Sequence, residues 1–110
     1  MNTISTQLRR RILELCILKI ISRGEVYLSD MLEELKEAEL ISAEGTLYPL
    51  MYRFRKANLV LVRSENLDSG PTKKYYTLSA EGLVAIAQLE QTWLGLVNSV
   101  QMITSKQPTS

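Results

Sequence analysis

Between Glu44 and Lys56 the chain reads EGTLYPLMYRFRK, which sets a threonine, two tyrosines, a proline and three cations at helical spacing. On a wheel stepping about 100° per residue, Ala43, Leu50, Met51, Phe54 and Asn58 cluster beside Leu47. Gly45, Pro49, Tyr52, Arg53 and Lys56 fall opposite, Thr46 and Tyr48 stand at the margins, and Arg55 lies to one side. One face suits a core. The other combines hydroxyls, aromatic rings and fixed positive charge, the groups that hold phosphates and other anions. A second group of this chemistry follows in SGPTKKYYTL, where Ser69, Gly70, Lys73 and Lys74 gather at a turn.

The composition removes most catalytic alternatives. Histidine is absent and Cys16 is the single cysteine. The usual zinc sites and catalytic triads therefore lack their parts, an internal disulfide is excluded, and no acidic pair stands out. The chain is expected not to be an enzyme and to need no cofactor or metal. Its net charge of +1 hides a separation of charge. Arg9, Arg10, Arg11, Lys19 and Arg23 precede an acidic stretch containing Glu25, Asp30, Glu33, Glu34, Glu37, Glu39 and Glu44. A second basic stretch contains Arg53, Arg55, Lys56, Arg63, Lys73 and Lys74. Such patches bear on binding more than the total does. The longest apolar run, ILELCILKII, holds Glu14 and Lys19 and is too short to span a bilayer. The N-terminal residues do not follow a signal-peptide layout, so the expected location is the cytoplasm.

The elements that must position these groups follow from periodicity. Ile4, Leu8, Ile12, Leu15 and Leu18 predict a helix over residues 4–22, and Leu13, Ile17, Ile20 and Ile21 widen its apolar arc to more than one side. Gly24 ends it. A second helix begins at Leu28 or Ser29, with Ser29 as its N-cap; Met31, Leu32, Leu35 and Ala38 face inward, and Glu33, Glu34, Glu37 and Glu39 face water. Ser42 caps a third helix over about 43–58. Pro49 is tolerable near its start because the first helical N–H groups lack partners, and Gly45 gives the ring room while leaving the backbone bare to an approaching surface. Leu59 to Glu65 and Lys73 to Leu78 form a hairpin around NLDSGPT, a wing spanning about 60–78. Leu78 and Tyr76 share one face with Lys74, and Tyr75 shares the other with Lys73. Tyr75 and Tyr76 are expected in the core. Ser79 caps a last helix to about Ile103, along which Ile86, Leu89, Trp93, Leu96, Val100 and Ile103 form a short a/d seam. Part of that seam is expected to meet another chain. The anticipated layout is one domain over 1–104, with N- and C-terminal dimerisation helices, and a disordered tail at 105–110.

Three helices, a two-stranded ribbon and a long helix make a mainly α, α+β arrangement of winged helix-turn-helix type, in which one helix enters the DNA major groove and the hairpin touches the neighbouring backbone. EGTLYPLMYRFRKANLV followed by SGPTKKYYTLSAEG resembles the PadR family of bacterial transcriptional regulators over nearly the whole chain. The resemblance implies the short subgroup, in which the first and last helices of two subunits pack into a homodimer. It departs at VYLSD, Val26 to Asp30, where a tyrosine-glycine-tyrosine lead-in is usual; Tyr27 and Ser29 are then the nearest candidates for the phosphate contact expected there.

On this reading Thr46, Tyr48, Pro49, Tyr52, Arg53 and Lys56, with Ser69, Gly70, Lys73 and Lys74 of the wing, contact double-stranded DNA. Arg53 and Lys56 hold phosphate; Thr46 and Tyr52 bond to phosphate or base edges; Pro49 meets a thymine methyl. Leu8, Ile12, Leu89, Trp93, Leu96 and Val100 build the dimer. The resemblance also implies that Trp93 either packs the dimer or lines a site for a flat apolar compound, the possible releasing ligand. Repression is expected from size, since occupancy alone blocks a promoter. The alternative is a winged-helix module that binds a protein partner and no DNA. Arg9, Arg10 and Arg11 form either a solvated run or a reach to flanking DNA.

Overall fold

The computed structural model describes residues 3–66 and 70–109. Helix α1 (Thr3–Ser22) leads into a two-residue strand β1 (Val26–Tyr27) and helix α2 (Leu28–Glu37). A 3-10 turn (Glu44–Thr46) opens helix α3 (Leu47–Lys56), strands β2 (Val60–Glu65) and β3 (Lys73–Leu78) follow, and helix α4 (Ala80–Thr104) is the longest element. The expected α+β winged arrangement is present, with one addition. The ribbon is a three-stranded antiparallel sheet in the order β1-β3-β2. Val26 pairs with Tyr76 and Tyr27 with Tyr75, while Val62 and Arg63 meet the same two tyrosines from the other side.

The core forms where the inner stripes of the helices meet the sheet. Ile17, Leu18 and Ile21 of α1, Met31 and Leu35 of α2, and Leu47 of α3 are the largest fully buried side chains. Each such burial stabilises the fold by about 1.5–3 kcal/mol. Leu13, Ile20, Leu32, Ile41, Leu50, Met51, Phe54, Val60, Tyr76 and Ile86 complete the cluster. Tyr76 is thus in the core as anticipated, and burial pushes its phenol pKa up against a weaker opposite pull from Arg55. Tyr75 is not in the core. It is half-buried on the outer face of the sheet beside the Tyr27 ring, with centroids 5.6 Å apart.

Several expected boundaries shift for local reasons. Ser29 does not cap α2; β1 runs straight into the helix, so Tyr27 takes the N-cap place without a side-chain bond. Ala38 is exposed, because α2 stops at Glu37 and turns out through Glu39 at φ 61°. The helix expected over 43–58 is divided. Ala43 stands before the 3-10 turn, in extended backbone and exposed, and Ser42 is not its cap. Asn58 lies past the end of α3, exposed and in the left-handed conformation at φ 60°. Both helix ends close in the same way: Leu40 N–H donates to Leu35 C=O and Leu59 N–H to Phe54 C=O, each at 2.9 Å, wrapping an apolar residue back over the last turn.

Ser79 caps α4 as anticipated: Gly82 N–H donates to its Oγ at 3.0 Å, and that Oγ donates to Asn58 C=O at 2.6 Å. A Cβ at Gly82 would lie 2.1 Å from the Leu59 carbonyl oxygen, so only glycine lets α4 begin against the α3–β2 connection. From there α4 leaves the body of the protein. The Cα radius of gyration is 16.9 Å, against about 13 Å for a compact chain of this length. The surplus reflects an elongated body 70 Å in its longest extent. The Lys19 ammonium bonds to Glu90 at 3.1 Å, and beyond Glu90 the helix carries apolar side chains into solvent.

Candidate nucleic-acid interface

The 3-10 turn explains how α3 accepts its proline. Because the α-helical pattern starts only at Leu47, Pro49 falls in the first turn, where a missing N–H leaves no bond unmade. Leu47, Leu50, Met51 and Phe54 are buried, which turns the polar side of α3 outward. Thr46, Tyr48, Pro49, Tyr52, Arg53, Arg55 and Lys56 are all exposed, Tyr52 by 61%. The Lys56 ammonium lies over the Tyr52 ring, 5.7 Å from its centroid, a contact that holds a cation at the helix surface without neutralising it.

Two of these side chains have partners that the sequence did not disclose. The Tyr48 hydroxyl donates to the Glu44 carboxylate, which raises the phenol pKa. The Arg53 guanidinium donates to Glu14 of α1, which also accepts from Arg11 at 3.4 Å. Glu44 and Glu14 thereby tie the working face of α3 at both ends. Arg53 stays 47% exposed at its side chain, and a guanidinium has five N–H donors.

Three residues, 57–59, join α3 to the wing strand β2. On the outer face of the sheet Arg63 makes a fork to Glu25, with Nη2–Oε1 2.8 Å and Nε–Oε2 2.9 Å, and reaches Glu65 at 3.4 Å. The fork holds the Glu25 carboxyl below its ordinary pKa range and raises that of Arg63. The same guanidinium lies 4.5 Å over the Tyr75 ring, and the Lys73 ammonium lies 5.3 Å over the Tyr27 ring. Tyr27, at the unusual lead-in, therefore braces the wing through ring contacts. Lys74 and Gly70 are exposed; Ser69 lies outside the described residues. Among the described residues no carboxylate lies within ion-pair distance of Arg55, Lys56, Lys73 or Lys74. A helix with a tyrosine-rich cationic face is thus followed directly by a ribbon with unneutralised lysines.

The model of the transcriptional regulator PadR-like family matches residues 17–88, which run from within α1 through the wing into α4. The chain belongs to this family. A PadR-like transcription factor from Bacteroides fragilis is 36% identical, covering 93% of this chain and 99% of that one, with a TM-score of 0.79. A PadR-like transcriptional regulator from Bacillus cereus is 30% identical over 92% and 99%, also at 0.79. Bacillus subtilis PadR, solved with operator DNA, shares the fold at 22% identity and a TM-score of 0.63, over 87% of this chain and 60% of that one. Among curated proteins none matches the sequence. The PadR-like family is one of transcriptional regulators.

Of the expected dimer residues, Leu8, Leu89, Trp93, Leu96 and Val100 are exposed and Ile12 is half-buried. Ile86, the first seam residue, is buried within the chain's own core. Leu94 and Met102, off the seam, are exposed too. Among the described residues no helix is long and apolar enough to cross a membrane, and no group of acidic or cysteine side chains could hold a metal ion. The residues that sequence reasoning missed are Glu14, Glu25 and Arg63. Their partners lie 38 or 39 positions away, and no local pattern marks them.

Proposed function

We propose that this PadR-family regulator binds double-stranded DNA as a homodimer and represses by occupancy, acting in the cytoplasm. Residues 3–104 serve as one winged-helix unit with dimerising ends. The observation that carries this reading is the outward row of Thr46, at the end of the 3-10 turn, with Pro49, Tyr52 and Lys56 of α3, continued by Lys73 and Lys74 of the wing, with no carboxylate pairing its lysines among the described residues. Helix α3 enters the major groove, where Thr46 and Tyr52 read base edges and Pro49 packs on a thymine methyl. Lys56, Lys73 and Lys74 hold phosphates, with Arg53 joining them through donors that Glu14 leaves free. Tyr48 and Gly70 lie alongside the backbone.

Helix α4 supports the dimer. Residues 91–104 contain no charged side chain, yet Trp93, Leu94, Leu96, Val100, Met102 and Ile103 are exposed. An apolar patch of that extent calls for a partner, and the stripe of Ile4 and Leu8 on α1 is its complement in a twofold pair. Trp93, 39% exposed, faces this interface in the proposed pair, and a flat apolar compound stacked on it would release the DNA.

Fluorescence anisotropy with a duplex from the protein's own upstream region tests the reading. A dimer that neutralises about six to eight phosphates gives a log–log salt slope of about −5 to −7. Affinity independent of salt would remove the mechanism, and a monomer at working concentration would remove the twofold arrangement.

A further inference from the structure

Among the described residues, Arg53 is the one cation of the proposed DNA face that an acid holds; Lys56, Lys73 and Lys74 have no carboxylate within ion-pair distance. The Arg53 guanidinium donates through Nη2 to Glu14 Oε1, and Glu14 Oε2 accepts from Arg11 at 3.4 Å. The two partners are unequally placed. The Glu14 side chain is 17% exposed and the Arg53 side chain 47%. Glu14 stands on α1 between Leu13 and Ile17, both buried in the core, so its carboxylate is anchored to the body of the protein. Arg53 is the longer, more exposed arm, and its reach depends on whether Glu14 keeps hold of it.

At about 100° per residue, Thr46, Pro49, Arg53 and Lys56 form one stripe of α3. A phosphate lying along that stripe meets the bare Lys56 ammonium, but at Arg53 it meets a cation already offset by a carboxylate. Counterion release counts the charge that a protein brings to the backbone, and Arg53 joined to Glu14 brings close to none. The pair also restricts geometry. A free arginine side chain follows a backbone through many registers, whereas a tethered one presents its remaining N–H donors from one place. Non-specific binding consists of phosphate contacts alone, so the tether subtracts from it in full. At a matched site Thr46 and Tyr52 add contacts to bases, and a guanidinium already held in position has less freedom to lose.

We infer that Glu14 is a specificity-determining residue: as a resident anion on Arg53 it weakens attachment to every duplex and costs a matched site less. This rests on the DNA-binding reading above. Three lysines on each of two chains give about six phosphates in the wild type, and freeing Arg53 brings about eight, a steepening of the log–log salt slope by about 2.

Anisotropy titrations of the full chain over a series of salt concentrations test this, with a duplex from the protein's own upstream region and a shuffled duplex of the same length and composition. Glu14→Gln should tighten the shuffled duplex about tenfold at low salt, tighten the upstream duplex by about threefold or less, and steepen the slope on the shuffled duplex by about 2. Glu14→Asp keeps the charge but withdraws it from Arg53 by one methylene, and should move the same quantities in the same direction. In an Arg53→Ala background Glu14→Gln should change affinity by less than about twofold. Glu44→Gln removes a like charge from the same face, but that carboxylate is held by Tyr48, so its effect should be the same with arginine or alanine at position 53. An unchanged slope, a Glu14→Gln effect that survives Arg53→Ala, or an equal gain on two duplexes that wild type distinguishes overturns the inference and leaves the DNA reading intact. Where wild type binds the two duplexes equally, the slope and the Arg53→Ala comparison decide. Wild type that binds neither duplex at any salt strikes the DNA reading and this inference with it.

Discussion

Gly82→Ala and Gly45→Ala add the same methyl group at two glycines and should have opposite consequences. At Gly82 the new Cβ would meet the Leu59 carbonyl oxygen at 2.1 Å and its carbon at 3.1 Å. These are backbone atoms, so relief requires α4 and the α3–β2 connection to part by about 1.3 Å or more, to reach ordinary van der Waals contact. The Leu59 oxygen accepts from Ser79 N–H at 3.0 Å, and Ser79 Oγ joins Gly82 N–H to Asn58 C=O. Parting them therefore breaks the two hydrogen bonds that Ser79 donates to Leu59 and Asn58, at about 1 kcal/mol each. Repacking of the displaced core edge adds about 1–3 kcal/mol. Allowing for partial relaxation, the expected loss is about 3–5 kcal/mol, a fall in Tm of about 10–20 °C for a domain of this size. At Gly45 nothing lies within 4 Å of the added atom, so Tm should move by less than about 3 °C. DNA affinity should nevertheless fall about tenfold, because bare backbone at the start of α3 is what lets another surface come close. Thermal melting followed by circular dichroism at matched chain concentration, with anisotropy on the same samples, reads both effects. A Gly82→Ala melting curve superimposable on wild type would refute the reasoning about how α4 is seated.

Three other perturbations probe separate parts. Glu39→Gly should stabilise the protein by about 1 kcal/mol, since Glu39 holds φ 61°, a conformation that costs a side-chain-bearing residue about that much; a lower Tm would show that the Glu39 side chain does something the backbone cost does not outweigh. The Glu25 pKa is depressed by its hydrogen bond from Arg63, so the fork stabilises the fold above the unfolded value near 4.5 and fades as pH falls through the lower folded value. The Tm difference between wild type and Glu25→Gln should accordingly be full at neutral pH and close in acid, whereas a gap unchanged down to about pH 2 would contradict it. Lys74→Ala should flatten the salt slope of DNA binding by about 2, two copies at about 0.9 each, and weaken all sequences alike; Tyr52→Phe should change sequence preference at nearly constant slope. Equal effects of both on every duplex would refute that division of labour.

The helices were legible because each carries its own period. The spacing of Leu47, Leu50, Met51 and Phe54 marked the buried side of α3, and the exposed side followed by subtraction. Read locally, Pro49 is tolerable in a helix starting near Ala43, six residues earlier, whereas the α-helix starts at Leu47 after a 3-10 turn and so places the proline in its first turn. What the chain concealed is what depends on distant pairing. Strand β1 is two residues long and exists only because β3 offers Tyr75 and Tyr76 as register partners, 48 positions after Tyr27 and 50 after Val26. With no loop between β1 and α2, Ser29 looked like a cap and is not one. Asn58 at positive φ is a common choice for that conformation; Glu39 is not, so the end of α2 gave less warning than the end of α3. At the candidate interface the residue types were readable but their partners were not. Arg53 looked like a free cation on a helix face, whereas Glu14, 39 positions earlier, holds it.

That ion pair bears on how the parts work together. Helix α1 buries Leu13, Ile17 and Ile21 in the core, leaves Ile4 and Leu8 exposed on the other side, and between these stripes sends Glu14 to Arg53. Helix α3 is thus bonded to the same helix that, in the proposed pair, meets the second copy. In a twofold dimer the distance between the two α3 helices sets which half-site spacing can be read. A helix shared between the core, the interface and the α3 tether makes that distance a property of packed side chains. The wing is braced by independent contacts, with Arg63 on Glu25 and Lys73 over Tyr27. In the proposed complex, register on DNA and contact with the flanking backbone are therefore held by different bonds, so substitutions at Glu14 and at Glu25 should be separable in their effects.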